Sequence, residues 1–264
     1  MPLVLDLQSL ASDVAREAGE LALRRRTEGV AIAATKSALA DIVTEADREV
    51  EELIRRRLAE ARPDDGFLGE ESGAQRGSGD VTWVVDPIDG TVNYAYGIPA
   101  YAVSIAAVAG EPVPGKWEAL AGAVFNPASG ELFRAARGEG AWLGEQRLVV
   151  NAEPSPAGAL IATGFGYRAE THAGDLDRLA RVMPIARDVR RIGAASLDFA
   201  FVAAGRFDAY FERGLAPWDH AAGALLVTEA GGLVDGRPAD EHGRALFVAA
   251  APILCERILH LVAE

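Results

Sequence analysis

The chain has 264 residues, half of them hydrophobic, and its 39 acidic side chains outnumber the 26 basic ones for a net charge of −13. That is the make-up of a globular protein large enough for one big domain or two smaller ones. So acidic a surface repels nucleic acid and anionic membranes, and a lone cysteine, Cys255, excludes an internal disulfide and a thiolate metal cluster.

Taken in chain order, the N-terminal stretch carries Asp6, Asp13 and Glu17 among its apolar residues, unlike a signal peptide. No run reaches the ~18 apolar residues of a membrane span, so the expectation is a cytoplasmic protein with neither membrane nor nucleic-acid partners. Leu7, Leu10, Val14, Ala18 and Leu21 predict a helix from about Leu3 to Arg26. A second helix runs from about Thr44 to Ala61, with Val50, Leu53, Ile54 and Leu58 on one face. Thr44 is placed to cap it, and Asp47 takes the capping-box position that Glu or Gln usually holds. Phe67-Leu68 and Val81 to Val85 read as short strands, the second ending at Asp86-Pro87 because proline cannot continue a central strand. Tyr101 to Val108, Leu120 to Phe125, Glu131 to Ala136 and Arg147 to Val150 are further strands broken by glycine and proline.

The segment Asn151 to Gly158 marks a boundary between residues 1–150 and 151–264. Beyond it the signals alternate: strand Ala159 to Ala162, helix Thr171 to Val182, strand Val189 to Ile192, helix Ala194 to Ala204, strand Asp208 to Phe211. A last helix, Trp218 to Ala230, is closed by Gly231-Gly232. The order predicts an α/β protein, with an α+β first half and an α/β second half.

Four segments carry acids in suggestive settings. In Trp83 to Gly97, WVVDPIDGTVNYAYG, an apolar strand delivers Asp86 to its end and Asp89 follows three residues later. Two carboxylates on one tight turn can face a single hard cation, which takes oxygen ligands and often substrate phosphate as well. Gly90 and Thr91 then open a short helix whose free N–H groups suit a phosphate. Consecutive Asp-Pro and Asp-Gly turns explain the same residues without chemistry. Glu70 and Glu71 follow the Phe67-Leu68 strand, as a solvated loop would. Asp219, in Pro217-Trp218-Asp219-His220, starts a helix, where the dipole alone favours an acid. His220 invites a metal reading, but His172, His242 and His260 lack metal-type spacing around it. The stretch KSALADIVTEAD, residues 36 to 47, places Lys36, Asp41, Thr44 and Asp47 ahead of a helix.

Together and in this order, KSALADIVTEAD, GEES, DPIDGT with NYAYGIP, the GAAS run at Gly193, YFERG and PWDHAAG leading into EAGG resemble the inositol monophosphatase family. That family belongs to a larger group with fructose-1,6-bisphosphatases and nucleotide-phosphate phosphatases. The resemblance implies a layered αβαβα sandwich of the sugar-phosphatase type, a homodimer, and an Mg²⁺-dependent, lithium-sensitive phosphomonoesterase with two to three ions. By resemblance, Glu70, Asp86 and the Ile88 carbonyl hold a first Mg²⁺, while Asp86, Asp89 and Asp219 hold a second. Glu70 and Thr91 position the attacking water, Asp47 orients the Thr91 hydroxyl, and Lys36 supports the site. Asp89, Gly90, Thr91, Gly193, Ala194, Ala195, Glu212 and Asp219 meet the substrate. Ala194 stands where many members carry Ser or Thr, which removes one possible hydrogen bond. Inositol monophosphate is the expected substrate, with histidinol phosphate, fructose 1,6-bisphosphate and 3′-phosphoadenosine 5′-phosphate as alternatives. A non-catalytic or moonlighting regulatory binding protein is the alternative of another class.

Overall fold

A computed structural model describes residues 2–29, 32–35, 42–110, 116–152, 154 and 156–263. Helix α1 (Pro2–Glu28) leads to a ribbon of β1 (Ile32–Thr35) and β2 (Ile42–Thr44), then to α2 (Glu45–Ala61). The start of α2 is built as its sequence requires. The Thr44 hydroxyl accepts from the Asp47 N–H at 3.4 Å, and the Thr44 N–H donates to Asp47 Oδ2 at 2.7 Å.

Eight strands follow in one sheet: β3 (Gly66–Gly69), β4 (Gly73–Gln75), β5 (Val81–Asp89), β6 (Ala102–Gly110), β7 (Trp117–Asn126), β8 (Glu131–Ala136), β9 (Gly140–Leu143) and β10 (Gln146–Arg147). Their order is β10-β9-β8-β7-β6-β5-β3-β4, antiparallel throughout except for the parallel pair β3–β5. A short helix, α3 (Thr91–Tyr96), joins β5 to β6. The chain then builds a five-stranded sheet from β11 (Ala159–Thr163), β12 (Ala186–Arg190), β13 (Ala209–Arg213), β14 (Leu233–Arg237) and β15 (Leu246–Ala250), ordered β12-β11-β13-β15-β14. Its helices are α4 (Ala169–Val182), α5 (Ala195–Ala203), α6 (Pro217–Glu229) and α7 (Pro252–Val262).

The layers follow from where the apolar faces go. One face of the large sheet packs Trp83, Val85 and Ile105 against Leu7, Val14, Val50 and Ile54 of α1 and α2. Its other face packs Val84, Val124 and Phe133 against α5 and α6, which Tyr210 and Ala249 of the second sheet cover from the far side. The outer face of that second sheet is closed by α4 and α7, through Val182, Leu254, Ile258 and Val262. The result is an αβαβα sandwich. Helices α5 and α6 are apolar on nearly every side because both faces are covered.

Three expectations need correction. Strand β5 does not stop at Val85: it continues through Pro87 to Asp89, with a register shift against β6 between Asp86 and Asp89. Strand β3 has ended by then, so Pro87 leaves no ladder bond unmade, and a bulge is where a strand tolerates proline. The strand expected at Arg147 to Val150 is only Gln146–Arg147. The Leu148 and Val150 N–H groups donate to Ala141 and Ala230 carbonyls, at 2.8 and 3.1 Å, outside any strand. The strand expected at Val189 to Ile192 is Ala186–Arg190, because its pairing with β11 starts at Ala186.

The middle helix layer is tight. A Cβ on Gly223 of α6 would fall 2.5 Å from the Phe199 Cβ of α5, and one on Gly122 of β7 would fall 3.0 Å from the Ala222 Cα. Gly223→Val is therefore expected to destabilise the fold by about 1–3 kcal/mol through overpacking, read as a lower midpoint in urea unfolding. An unchanged midpoint would show that α5 and α6 separate without cost.

Candidate active site

The site sits where β5 ends and two helices begin. Strand β5 carries Asp86 before its bulge and Asp89 after it, and α6 carries Asp219 in its first turn. The bulge matters here, since it lets two residues three apart turn their carboxylates to the same side. One oxygen from each of Asp86, Asp89 and Asp219 lies within 4.8 Å of the others. Backbone N–H groups fix all three acids. Asp86 Oδ1 accepts from the Ile88 N–H at 3.1 Å, and Asp219 Oδ2 from the Ala216 N–H at 2.7 Å. Asp89 takes the N-terminus of α5: Oδ1 accepts from the Ala195 N–H at 3.2 Å, and Oδ2 from the Ser196 N–H at 2.7 Å and the Ser196 hydroxyl.

A cavity of about 490 Å³ opens over this cluster, lined also by Glu70, Ile88, Gly90 and Thr91. Glu70 follows β3, and its N–H donates to the Val85 carbonyl at 3.2 Å, which puts it beside Asp86. The Thr91 hydroxyl lies 3.2 Å from Asp47 Oδ1 and 3.0 Å from the Ile88 carbonyl. Asp47 itself is buried and reaches the cavity only through Thr91. Gly90 has φ of 86°, and a Cβ there would press on the Ala100 and Gly193 carbonyls, so the turn calls for glycine.

The cluster is charged against its own interest. Burial, followed by the charge of Glu70, Asp89 and Asp219, holds Asp86 well above the ordinary carboxylate range. Asp219 is raised in the same way by burial and then by Asp89 and Glu70. Burial pushes Asp89 up to about 6 despite its Ser196 bonds, and Asp47 to about 6 despite Thr44. Among the described residues, no lysine or arginine pairs with the three clustered acids. Converging hard oxygens, two of the three carboxylates buried and none paired with a described lysine or arginine, are the donor set of a hard divalent cation, so the residues present fit Mg²⁺.

A second cavity of about 190 Å³ adjoins the first and is lined by Asp89, Gly193, Ala194, Ala195, Glu212 and Asp219 among others. Glu212 Oε2 accepts from the Tyr210 hydroxyl at 2.6 Å, and burial lifts this acid to about 7. Its carboxylate lies flat on Gly164, where a Cβ would fall 1.8 Å from Oε2. Four arginines line this cavity: Arg244 is held by Asp175 through two bonds of 2.9 Å, Arg213 donates to the Arg244 carbonyl at 2.9 Å, Arg168 pairs with Glu170 at 3.1 Å, and the charge of Arg191 acts on Glu212.

Thus Glu70, Asp86, Ile88, Asp89, Gly90, Thr91 and Asp219 share one cavity, with Glu70 outside the tight group of three carboxylates. Gly193, Ala194, Ala195 and Glu212 line its neighbour, where the Ala195 N–H is already taken by Asp89. Lys36 lies outside the described residues. Ser196 and Asn93 were not picked out as site residues. Ser196 supports Asp89, and the Asn93 amide donates to the Ala100 and Ile192 carbonyls at 2.7 and 2.9 Å, tying α3 to the loop before α5. The GAAS run at a helix start was the available signal for Ser196. His220 lies outside the carboxylate cluster: its ring centre is 4.4 Å from that of Phe247, and burial drives it down to about 4.

A buried carboxylate cluster at the strand ends of an αβαβα sandwich defines a protein of the sugar-phosphatase type. The model of the Inositol monophosphatase family matches residues 5–263, and the chain belongs to that family. It is 43% identical over 272 residues to inositol-1-monophosphatase SuhB of Mycobacterium tuberculosis, covering 96% of this chain and 92% of the relative. It is 44% identical over 236 residues to a Pseudomonas aeruginosa protein called Nus factor SuhB, covering 86% and 83%. The crystal structure of extragenic suppressor protein suhB from Bartonella henselae superposes with a TM-score of 0.87 at 35% identity, over 98% of this chain and 99% of that one. Among the described residues, no helix is long and apolar enough to cross a membrane.

The raised acids make a signed prediction for the metal-free protein. Each binds its proton more readily folded than unfolded, so stability falls as pH rises from the ordinary value of 3.8 through about 6, where Asp89 and Asp47 ionise. Neutral, buried His220 opposes this between about 4 and 6.5, but it is one group against several. Melting of chelated protein is therefore expected at a higher temperature at pH 5 than at pH 7, with Mg²⁺ restoring the difference at pH 7. A chelated protein that gains stability from pH 5 to 7 would contradict the charge strain described here.

Proposed function

We propose that this chain is an Mg²⁺-dependent phosphomonoesterase that hydrolyses inositol monophosphate to inositol and phosphate. The observation that carries the reading is the convergence of Asp86, Asp89 and Asp219, with Glu70 beside them, on one open cavity. Asp86, Asp89 and Asp219 would hold one cation, and Glu70, Asp86 and the Ile88 carbonyl another. When bound, such cations neutralise phosphate, acidify water and steady a leaving alkoxide.

The chain's own groups supply the rest. The Thr91 hydroxyl donates toward Asp47 or Ile88, which leaves its lone pairs free to accept a proton from a water in the cavity. Asp47, at about 6 and hydrogen-bonded to Thr44, holds that hydroxyl in one orientation and can take up its proton. Glu212 offers Oε1 to a substrate hydroxyl, because Tyr210 occupies Oε2. The acidic Glu212 in this cavity favours a neutral polyol over a second phosphate, which ranks inositol phosphate above the bisphosphates. Histidinol phosphate, whose ammonium would also suit Glu212, is the nearest competitor. A regulator without catalysis, in the manner that the name of the Pseudomonas relative suggests for that protein, would not need the full acid set kept here.

Phosphate release from inositol 1-phosphate should appear with Mg²⁺ and vanish on chelation. Absence of release from this substrate, histidinol phosphate, fructose 1,6-bisphosphate and 3′-phosphoadenosine 5′-phosphate would sink the phosphatase reading. Asp89→Asn should cut turnover by more than about 100-fold while the circular dichroism melt shows a folded protein. Near-normal turnover would remove Asp89 from the cation site. Lithium should inhibit by competing at a cation position, and full insensitivity would mean a differently built site.

A further inference from the structure

Helix α2 sends two buried carboxylates toward the site, one turn apart on the same face. Asp47 is 1% exposed and Glu51 2% exposed. Asp47 reaches Thr91, whereas Glu51 lies beneath the Glu70-Glu71 loop, where its Oε2 accepts the Glu71 N–H at 2.8 Å. The Glu70 N–H donates to Val85 in β5, so the loop is held on one side by the strand that bears Asp86 and on the other by α2. The contact is close. A Cβ on Gly69 would fall 2.4 Å from Glu51 Oε2 and 2.6 Å from its Cδ, so only glycine lets the carboxylate lie on the loop. Among the described residues, Arg55 is the sole ion-pair partner, at 3.4 Å and partly in solvent, which is weak compensation for a buried charge. The apolar face of α2 is already supplied by Val50, Ile54 and Leu58. A carboxylate at 51 therefore serves the loop, since an apolar residue would leave the buried end of the Glu71 N–H without an acceptor.

We propose that Glu51 is a positioning residue that fixes the Glu70-Glu71 loop, and with it Glu70, for binding Mg²⁺. It is not a ligand, because its Oε2 is spent on the Glu71 N–H and its Oε1 faces Arg55. The inference rests on the phosphatase reading above.

Two variants separate reach from charge. Glu51→Gln keeps an oxygen at the same distance and loses the charge; Glu51→Asp keeps the charge and withdraws the oxygen from the Glu71 N–H. Mg²⁺ binding to chelated, full-length protein is read by calorimetry, beside the Mg²⁺ concentration for half-maximal phosphate release. Glu51→Asp is expected to weaken both by about 10- to 100-fold, as outer partners of metal ligands do, and Glu51→Gln to stay within about threefold of wild type. Gly69→Ala, which pushes the carboxylate off the loop from the other side, should match Glu51→Asp. Wild-type affinity in Glu51→Asp and Gly69→Ala overturns the proposal, as does a loss in Glu51→Gln equal to that in Glu51→Asp. A wild-type protein that binds Mg²⁺ while failing to release phosphate would instead overturn the phosphatase reading and leave the loop result standing.

Discussion

Everything at the site depends on keeping like charges together inside the protein. Asp86, Asp89 and Asp219 repel one another, and burial strengthens the repulsion. They stay in place because rigid backbone donors hold them: the N–H groups of Ile88, Ala195, Ser196 and Ala216. Two of those donors come from the N-terminus of α5, whose dipole also favours an anion. The fold thus supplies partial positive charge from amides and leaves the whole positive charge to a cation. A cation held there would reverse the local sign in a chain whose net charge is −13.

The large-scale architecture was legible because it rests on local signals. Helix α2 announces itself through Thr44 and Asp47 as well as its apolar face, and α6 through Pro217 and the closing Gly231-Gly232. Rules that speak of one residue at a time failed where tertiary context took over. Pro87 ends a central strand by rule, but β3 stops at Gly69, so the proline has no partner to deprive. Strand β14 is hard to read because Leu233–Arg237 mixes glycine and charge, and only its pairing with β15, itself paired with β13, makes that edge a sheet.

The site was legible in its acids and silent in its supports. A carboxylate in an unusual setting can be noticed in a sequence, as those of Asp86, Asp89 and Asp219 are; Glu70 reads as a solvated loop acid, and Glu212 enters only through the family resemblance. Asp86, Asp219 and Glu212 are aimed by near neighbours, but Asp89 is held by Ser196 across 107 positions, and the α3 turn is tied by Asn93 to Ile192 across 99. Nothing local distinguishes such a serine or asparagine from a helix cap or a turn residue. Glycine is similarly mute. Gly164 reads as a loop residue until the Glu212 carboxylate is seen lying against it.

The carboxylate cluster and the acid of the adjoining cavity are carried by different parts of this frame. The cation cluster belongs to β5 and the start of α6, both packed in the middle of the sandwich. Glu212 belongs to β13, and the loop that covers it, residues 164–168, is braced from outside by Asp175. That acid accepts the Gly166 N–H at 3.1 Å while gripping Arg244. A buried pair of this kind is costly to break from one side, so it holds the loop firmly at Gly166. Tyr167 of the same loop lines the cavity over the carboxylate cluster as well as the one beside Glu212. The wall that Asp175 braces therefore belongs to both cavities, and Asp89 and Asp219 stand where the two meet.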